Sequence, residues 1–279
     1  MNAPPILCYH KVDARREFGV TRVSPRVFRR QMESLAKAGW RTLGGAELSA
    51  HLAAPAPAAS PVSPSHASPL TSHSSRLLVL TFDDGYAALA VHAFPVLADL
   101  GFRALVFVVT DYVGRDNDWD VHYGWRRFRH LTWDELAHWQ ERGIEVHSHG
   151  ATHQRLTWIP DSEAEDELGR SRQAIASRLG VPPAALSYPF GAVDARVRRL
   201  TAAAGYTMAV AGPRGLAGQL DRSAGPDPLV LGRLPVYAWD PFAVPLVLRG
   251  GAAGACAAGL ARAASRLSVA TSAIRRVFG

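Results

Sequence analysis

The sequence predicts an α/β fold built on a parallel sheet, and three observations carry that expectation. Short apolar runs such as "LLVLTF" (77–82) and "RALVFVV" (103–109) alternate with segments of helical periodicity. The connections between them are mostly short, as successive βα units require. The run of strands comes to about seven, a number that favours closing the sheet into a barrel.

The elements follow in order. "PILCYH" (5–10) is the first buried strand. "SPRVFRRQMESLAKAG" is a helix with Ser24 as N-cap, Pro25 in the first turn and Gly39 past the end. Val27, Phe28, Met32 and Leu35 fall on one face and form its core stripe. "WRTL" is a short strand and "GAELSAHL" a short helix. Residues 53–75, rich in Pro, Ala and Ser, have nothing to bury and read as a disordered insert, with His66 and His73 solvated. After "LLVLTF" a helix is expected over 86–100, then the strand 103–109, then "TWDELAHWQERG" with a Thr132–Glu135 capping box. "IEVHS" is the next strand, followed by a helix over 162–179 that ends at Gly180. "LSYPF", a helix over 193–204, "YTMAVAG" and "LGRLPVY" complete the pattern. One domain therefore spans 1–240, and 241–279 is an Ala- and Arg-rich helical extension.

Composition narrows the function. The 279 residues are 48% hydrophobic, enough for a sizeable core. A net charge of +7, from 31 basic and 24 acidic residues, suits an anionic partner such as a phosphate or a lipid head group. The arginines are scattered and not interleaved with aromatics, so no nucleic-acid partner is expected. Cys8 and Cys256 form no CxxC pair, which argues against a zinc-thiolate site and a disulfide framework. The start "MNAPPILCYHKV" has no basic n-region or long apolar stretch, and no run of about 18 apolar residues occurs. A cytoplasmic location is the expectation.

The chemistry concentrates at two strand ends. "TFDDGY" (81–86) places Asp83 and Asp84 side by side where an apolar strand stops. Adjacent carboxylates repel and are costly to bury unless a cation compensates them. "VHSHGATHQRL" supplies His147, His149 and His153 past the end of another strand. His149 and His153 are four apart, a spacing at which two imidazoles converge in a helical turn. Two histidines and one aspartate make a three-ligand metal site with an open position for water. In a barrel of parallel strands both segments lie on the same face.

"TFDDGY", "HSHGATH" and "SYPFG" resemble the first three motifs of the polysaccharide deacetylases, carbohydrate esterase family four or the NodB homology domain. The resemblance runs from about residue 4 to 237 and implies a distorted (β/α)7 barrel and metal-dependent removal of N-acetyl groups from amino sugars. Carried over by position, it implies Asp84, His149 and His153 as metal ligands and Asp83 as catalytic base. Zinc is the expected ion, with nickel or cobalt as alternatives. Phe190 would offer its backbone N–H to the oxyanion, and Tyr188 and Trp119 would wall the sugar ring. His147 reads as supporting the site or incidental.

Two departures stand out. The third motif usually opens with an arginine that orients the base, where this chain has Ser187; Arg233 is a candidate replacement. The late Leu-x-His motif that supplies a general acid is absent. Deacetylases of exopolysaccharide poly-N-acetylglucosamine carry a first-strand histidine in that role, and "ILCYHKV" offers His10, the alternative being a strand-end histidine bonded to backbone. Two other functions remain open: a hydrolase of a small cyclic amide or ureide on the same scaffold, and an inert carbohydrate-binding module. In the extension, Cys256, Leu260, Ala263, Leu267, Ala270, Ile274 and Phe278 make one apolar stripe with arginines mostly off it. That helix would pack on the barrel, or lie on the inner membrane surface beside a lipid-linked N-acetylated glycan.

Overall fold

A ring of parallel strands carries a cluster of buried polar side chains that includes Asp83, Asp84, His149 and Arg233. The structure, a computed structural model, describes residues 3–15, 21–54, 76–117, 127–212 and 227–236. The chain enters through β1 (Ile6–Tyr9), the paired short strands β2 (Lys11–Val12) and β3 (Arg22–Val23), and α1 (Pro25–Lys37). β4 (Trp40–Thr42), α2 (Gly45–Ala53) and β5 (Arg76–Phe82) follow, then α3 (Ala88–His92) and α4 (Phe94–Asp99). Next come β6 (Ala104–Val108), a 3-10 turn at Thr110–Tyr112, α5 (Trp133–Gln140) and β7 (Ile144–Ser148). A 3-10 turn at Leu156–Trp158 leads to α6 (Asp161–Leu179), β8 (Ala185–Ser187) and a further turn at Pro189–Gly191. The last described elements are α7 (Ala195–Ala203), β9 (Met208–Ala211), β10 (Leu231–Gly232) and β11 (Leu234–Pro235).

The strands run β10-β9-β8-β7-β6-β5-β1-β11, with β4 added beside β5, and every pairing is parallel. β10 and β11 are two halves of one stretch interrupted at Arg233. β10 pairs with β9 (Leu231 opposite Val210) and β11 pairs with β1 (Leu234 opposite Leu7). The divided strand therefore joins both ends of the sheet and closes the ring as its seventh member. This is the distorted (β/α)7 barrel expected.

Strand alternation sorts the side chains. Ile6, Val79, Leu105, Phe107, Ala185, Met208, Val210 and Leu231 fill the interior, and Leu43 and Leu48 join them from the end where the strands begin. Leu7, Tyr9, Leu80, Phe82, Val106 and Val146 face outward onto Phe28, Met32 and Leu35 of α1, Phe94 and Leu97 of α4 and Leu136 of α5. Leu186, Tyr188, Ala209 and Ala211 pack outward onto Ala164 and Leu168 of α6 and Val197 of α7. Each such large apolar side chain contributes ~1.5–3 kcal/mol on burial.

The helix ends obey local chemistry. Ser24 Oγ accepts from Val27 N at 3.3 Å, and Thr132 and Glu135 satisfy each other's backbone N–H groups at 3.2 and 2.8 Å. The helix expected over 86–100 is broken at Ala93. Pro95 cannot donate to the helix ladder, so α3 ends and α4 restarts with the proline in its first turn. The insert from residue 55 to 75, Trp119 and the 241–279 extension lie outside the described residues. Among the described residues, no helix is long and apolar enough to cross a membrane.

Gly191 packs backbone to backbone against Gly212, with φ at +62°; a Cβ there would lie 2.4 Å from Gly212 N. Gly39 has φ at +77° but open space around it. Gly39→Ala should cost only the left-handed penalty of ~1–2 kcal/mol. Gly191→Ala should cost clearly more, because backbone has to move. Urea denaturation of both variants checks this; equal losses would show that the Gly191 contact is loose.

Candidate active site

Asp83 and Asp84 leave β5 in different directions because the backbone changes hand between them. Asp83 continues the inward face of Val79 and Thr81. Asp84 has φ at +68° and Gly85 φ at +71°, and Gly85 N bonds back to Asp83 O at 2.9 Å. A Cβ on Gly85 would lie 2.8 Å from Val108 Cγ1, so the turn needs glycine for space as well as for φ. His130, stacked on Tyr86, bonds through Nδ1 to Asp84 O at 2.7 Å and holds the turn.

The histidine segment reaches the same place from β7. His149 N bonds to Val108 O at 2.8 Å, and His149 Nδ1 donates to Ser187 O at 2.7 Å. That bond leaves the Nε2 lone pair aimed at Asp84. Asp84 Oδ1 lies 3.6 Å from His149 Nε2 and 3.6 Å from His153 Nε2. Zinc ligands at ~2.0–2.2 Å in a tetrahedron stand about 3.4 Å from one another, so this donor set fits one such ion. Burial lowers the His149 pKa against the pull of Asp83, which favours the neutral imidazole that a metal requires.

The compensating cation for Asp83 is Arg233. Its Nη1 donates to Asp83 Oδ1 and its Nη2 to Oδ2, both at 2.7 Å. Nη2 also donates to Ser187 Oγ at 2.9 Å, and Ser187 Oγ donates to Asp83 Oδ2 at 3.2 Å. Both partners are buried. Burial alone would raise the Asp83 carboxyl; Arg233, with His149, outweighs it and holds the group well below the usual carboxylate range.

Cys8, His10 and Asp83 form a second group of potential ligands among the described residues. A metal ion there would face the Arg233 guanidinium across the carboxylate both would need, so the Asp84 cluster is the metal candidate. His10 Nδ1 is buried with no hydrogen-bond partner among the described residues. Although His10 keeps some exposed surface, burial of its ring pushes the pKa down to about 4 against the opposing pull of Asp83.

Phe190 stands at the mouth, 39% exposed, with φ at +60° and its ring 4.8 Å from that of His153. Tyr188 does not wall the site, contrary to the sequence expectation. Ser187 faces inward to Asp83, so its neighbour faces outward into the core, where Tyr188 OH donates to Leu229 O at 3.0 Å. His147 is buried in the barrel, against Phe107 and 3.6 Å from Glu145 Oε2. His130 carried no sequence signal. Glu167 carried one: an acidic residue in register with the buried stripe Ala164, Leu168, Ser171 and Ile175.

Two predictions follow from the charges. Arg233→Met should lower stability by ~3–5 kcal/mol, since it strands a buried carboxylate. The double variant Asp83→Asn/Arg233→Met should recover part of that loss in urea denaturation, and a purely additive result would dissolve the pair. The second concerns pH in chelator-treated protein. The His10 pKa falls from 6.5 unfolded to about 4 folded. Between those values the unfolded chain binds the extra proton, so this group's contribution to stability rises with pH from about 4 to 6.5 and is constant outside that window. His130, also pushed down to about 4 by burial, acts in the same direction. His10→Gln should therefore flatten, but not abolish, the pH dependence of the urea midpoint; an unchanged slope would contradict the burial of the ring.

Comparison with known proteins agrees with this geometry. Residues 71–209 match the family model for polysaccharide deacetylase. YxkH of Bacillus subtilis (strain 168), named as a polysaccharide deacetylase, is 24% identical over 206 residues, 74% of this chain. The match spans 63% of that relative's length. The crystal structure of BC0361, a polysaccharide deacetylase from Bacillus cereus, is 26% identical with a TM-score of 0.62, covering 84% of this chain and 65% of that one. The Streptococcus pyogenes deacetylase PplD, in complex with acetate, shares the fold at 20% identity and a TM-score of 0.65, covering 84% of this chain and 92% of that one. Two strand-end motifs, a seven-membered parallel ring and these relatives converge on the polysaccharide deacetylases, the family whose model matches residues 71–209 of this chain.

Proposed function

We propose that the protein is a metal-dependent hydrolase that removes N-acetyl groups from an amino-sugar-containing glycan or glycan precursor. The observation that carries this reading is the convergence of Asp84, His149 and His153 beside an Asp83 held by Arg233. A divalent ion in the Asp84 cluster, zinc by its nitrogen and carboxylate donors with nickel or cobalt as alternatives, would supply Lewis acidity and lower the pKa of a water toward ~7.

The chain's own groups divide the remaining work. Asp83 stays ionised, and the two-point hold of Arg233 fixes the plane of its carboxylate, so it accepts the proton of the attacking water in a set orientation. Arg233 also makes Asp83 a weak base, and a proton taken there is readily passed on. An amine leaves only when protonated. His10 is neutral at rest, so the proton it delivers to the leaving nitrogen is the one taken from the water. Its buried Nδ1, without a partner among the described residues, is the kind of unsatisfied group that a functional role explains. Phe190 offers a backbone N–H to the developing oxyanion, and its exposed ring offers an apolar edge to the sugar.

The protein incubated with N-acetylglucosamine oligomers should release acetate, followed by mass spectrometry. Asp83→Asn should retain metal and lose about 10²–10⁴-fold in kcat, as should His10→Ala. Full activity after metal stripping, or no acetate from any N-acetylated sugar, would overturn the proposal.

A further inference from the structure

Building on the metal-site reading above, we propose that Glu167, on the helix behind the site, is the positioning residue for the two histidine ligands. The loop 149–153 has to present His149 and His153 to one point, and it does so in a costly conformation. Gly150 has φ at +81° and His153 at +64°, the latter a left-handed residue with a side chain. Something outside the loop has to hold that shape.

An account of the loop's backbone N–H groups shows what does. His149 N bonds to Val108 O on the neighbouring strand. Gly150 N bonds to Ser148 Oγ at 3.1 Å, and Ser148 Oγ is tied to Ser171 Oγ of α6 at 2.8 Å. Ala151 N and Thr152 N both donate to Glu167 Oε2, at 2.9 and 3.0 Å. Thr152 Oγ1 donates to Glu167 Oε1 at 2.6 Å. Glu167 and Ser171 are one helical turn apart on the inward stripe of α6, so one helix face holds three consecutive loop residues. On the opposite side of the loop, Gly150 O and Ala151 O accept from Thr110 N and Asp111 N at 3.2 and 3.0 Å.

This arrangement is directed at the loop and not at docking the helix. Ala164, Leu168 and Ile175 already pack α6 onto the barrel. Burying a carboxyl among them is unfavourable unless its oxygens are used, and every hydrogen bond described for Glu167 ends on Ala151 or Thr152, within two residues of His153. Outer partners of this kind typically tune metal affinity by about 10–100-fold when lost.

Cobalt(II) titration of the full chain, with a chelator as competitor and the visible absorption of bound cobalt as signal, tests the assignment. Glu167→Ala should bind Co²⁺ about 10–100-fold more weakly than the native protein and with an altered absorption band. Glu167→Gln should restore near-native affinity, because its amide oxygen can still accept from Ala151 N and Thr152 N. Where Glu167→Ala does not fold, Thr152→Val carries the test, since it deletes only the 2.6 Å hydroxyl bond and should weaken Co²⁺ binding by a smaller factor. Folded Glu167→Ala, or failing that Thr152→Val, with native affinity and spectrum overturns the positioning role alone. A native chain that takes up no Co²⁺ overturns the metal-site reading and this inference with it.

Discussion

The buried pair between Arg233 and Asp83 is the constraint on which the barrel and its site both rest. A carboxylate and a guanidinium inside a protein each cost several kcal/mol in lost hydration, a cost offset only by close geometry and full hydrogen bonding. The geometry is close and both Nη groups are fully engaged, while Arg233 Nε is buried with no hydrogen-bond partner among the described residues. Two 2.7 Å bonds join the groups face to face, and the hydroxyls of Thr81 and Ser187 take up further donor capacity. The pair connects β5, β8 and the divided last strand across the interior. Arg233 sits at the break between β10 and β11, where its side chain points inward while the residues on either side complete the ring.

Around that pair the strain is local and concentrated. The described non-glycine residues with positive φ are Asp84, His153 and Phe190, and all three gather at the mouth from three different strand-to-helix loops. Left-handed backbone at a residue with a side chain costs ~1–2 kcal/mol, so three such costs in one place have to be borne by the surrounding structure. His130 bears one through Asp84 O, Glu167 bears another through Ala151 and Thr152, and the contact between Gly191 and Gly212 bears the third. A rigid ring with strained loops at one end presents a set of candidate metal donors without reorganising it.

Much of this was legible in the chain. The strand-end positions of "TFDDGY" and "HSHGATH" and the capping residues of α1 and α5 all depend on local pattern, and local pattern held. The single helix expected over 86–100 failed at Pro95, where a rule about one missing N–H outweighed an apolar periodicity. Tyr188 failed for a different reason: its motif suggested a wall, while strand alternation beside the inward Ser187 sent it into the core. Period two alone carries that placement. The low proton affinity of His10 has no local signature, because it arises from burial by neighbours on other strands.

Residue order by itself determined the α/β class, the barrel of about seven strands and the segments that carry the candidate metal ligands, because hydrophobic periodicity, caps and motif spacing act over a few residues. Tertiary structure alone decided that Arg233 meets Asp83 across 150 positions of chain. It also decided that Ser187, a mismatch to the family pattern, bonds both of them, and that an acidic residue on α6 holds the histidine loop. These contacts depend on closing the ring, and ring closure brings distant residues together in a way that no local pattern encodes.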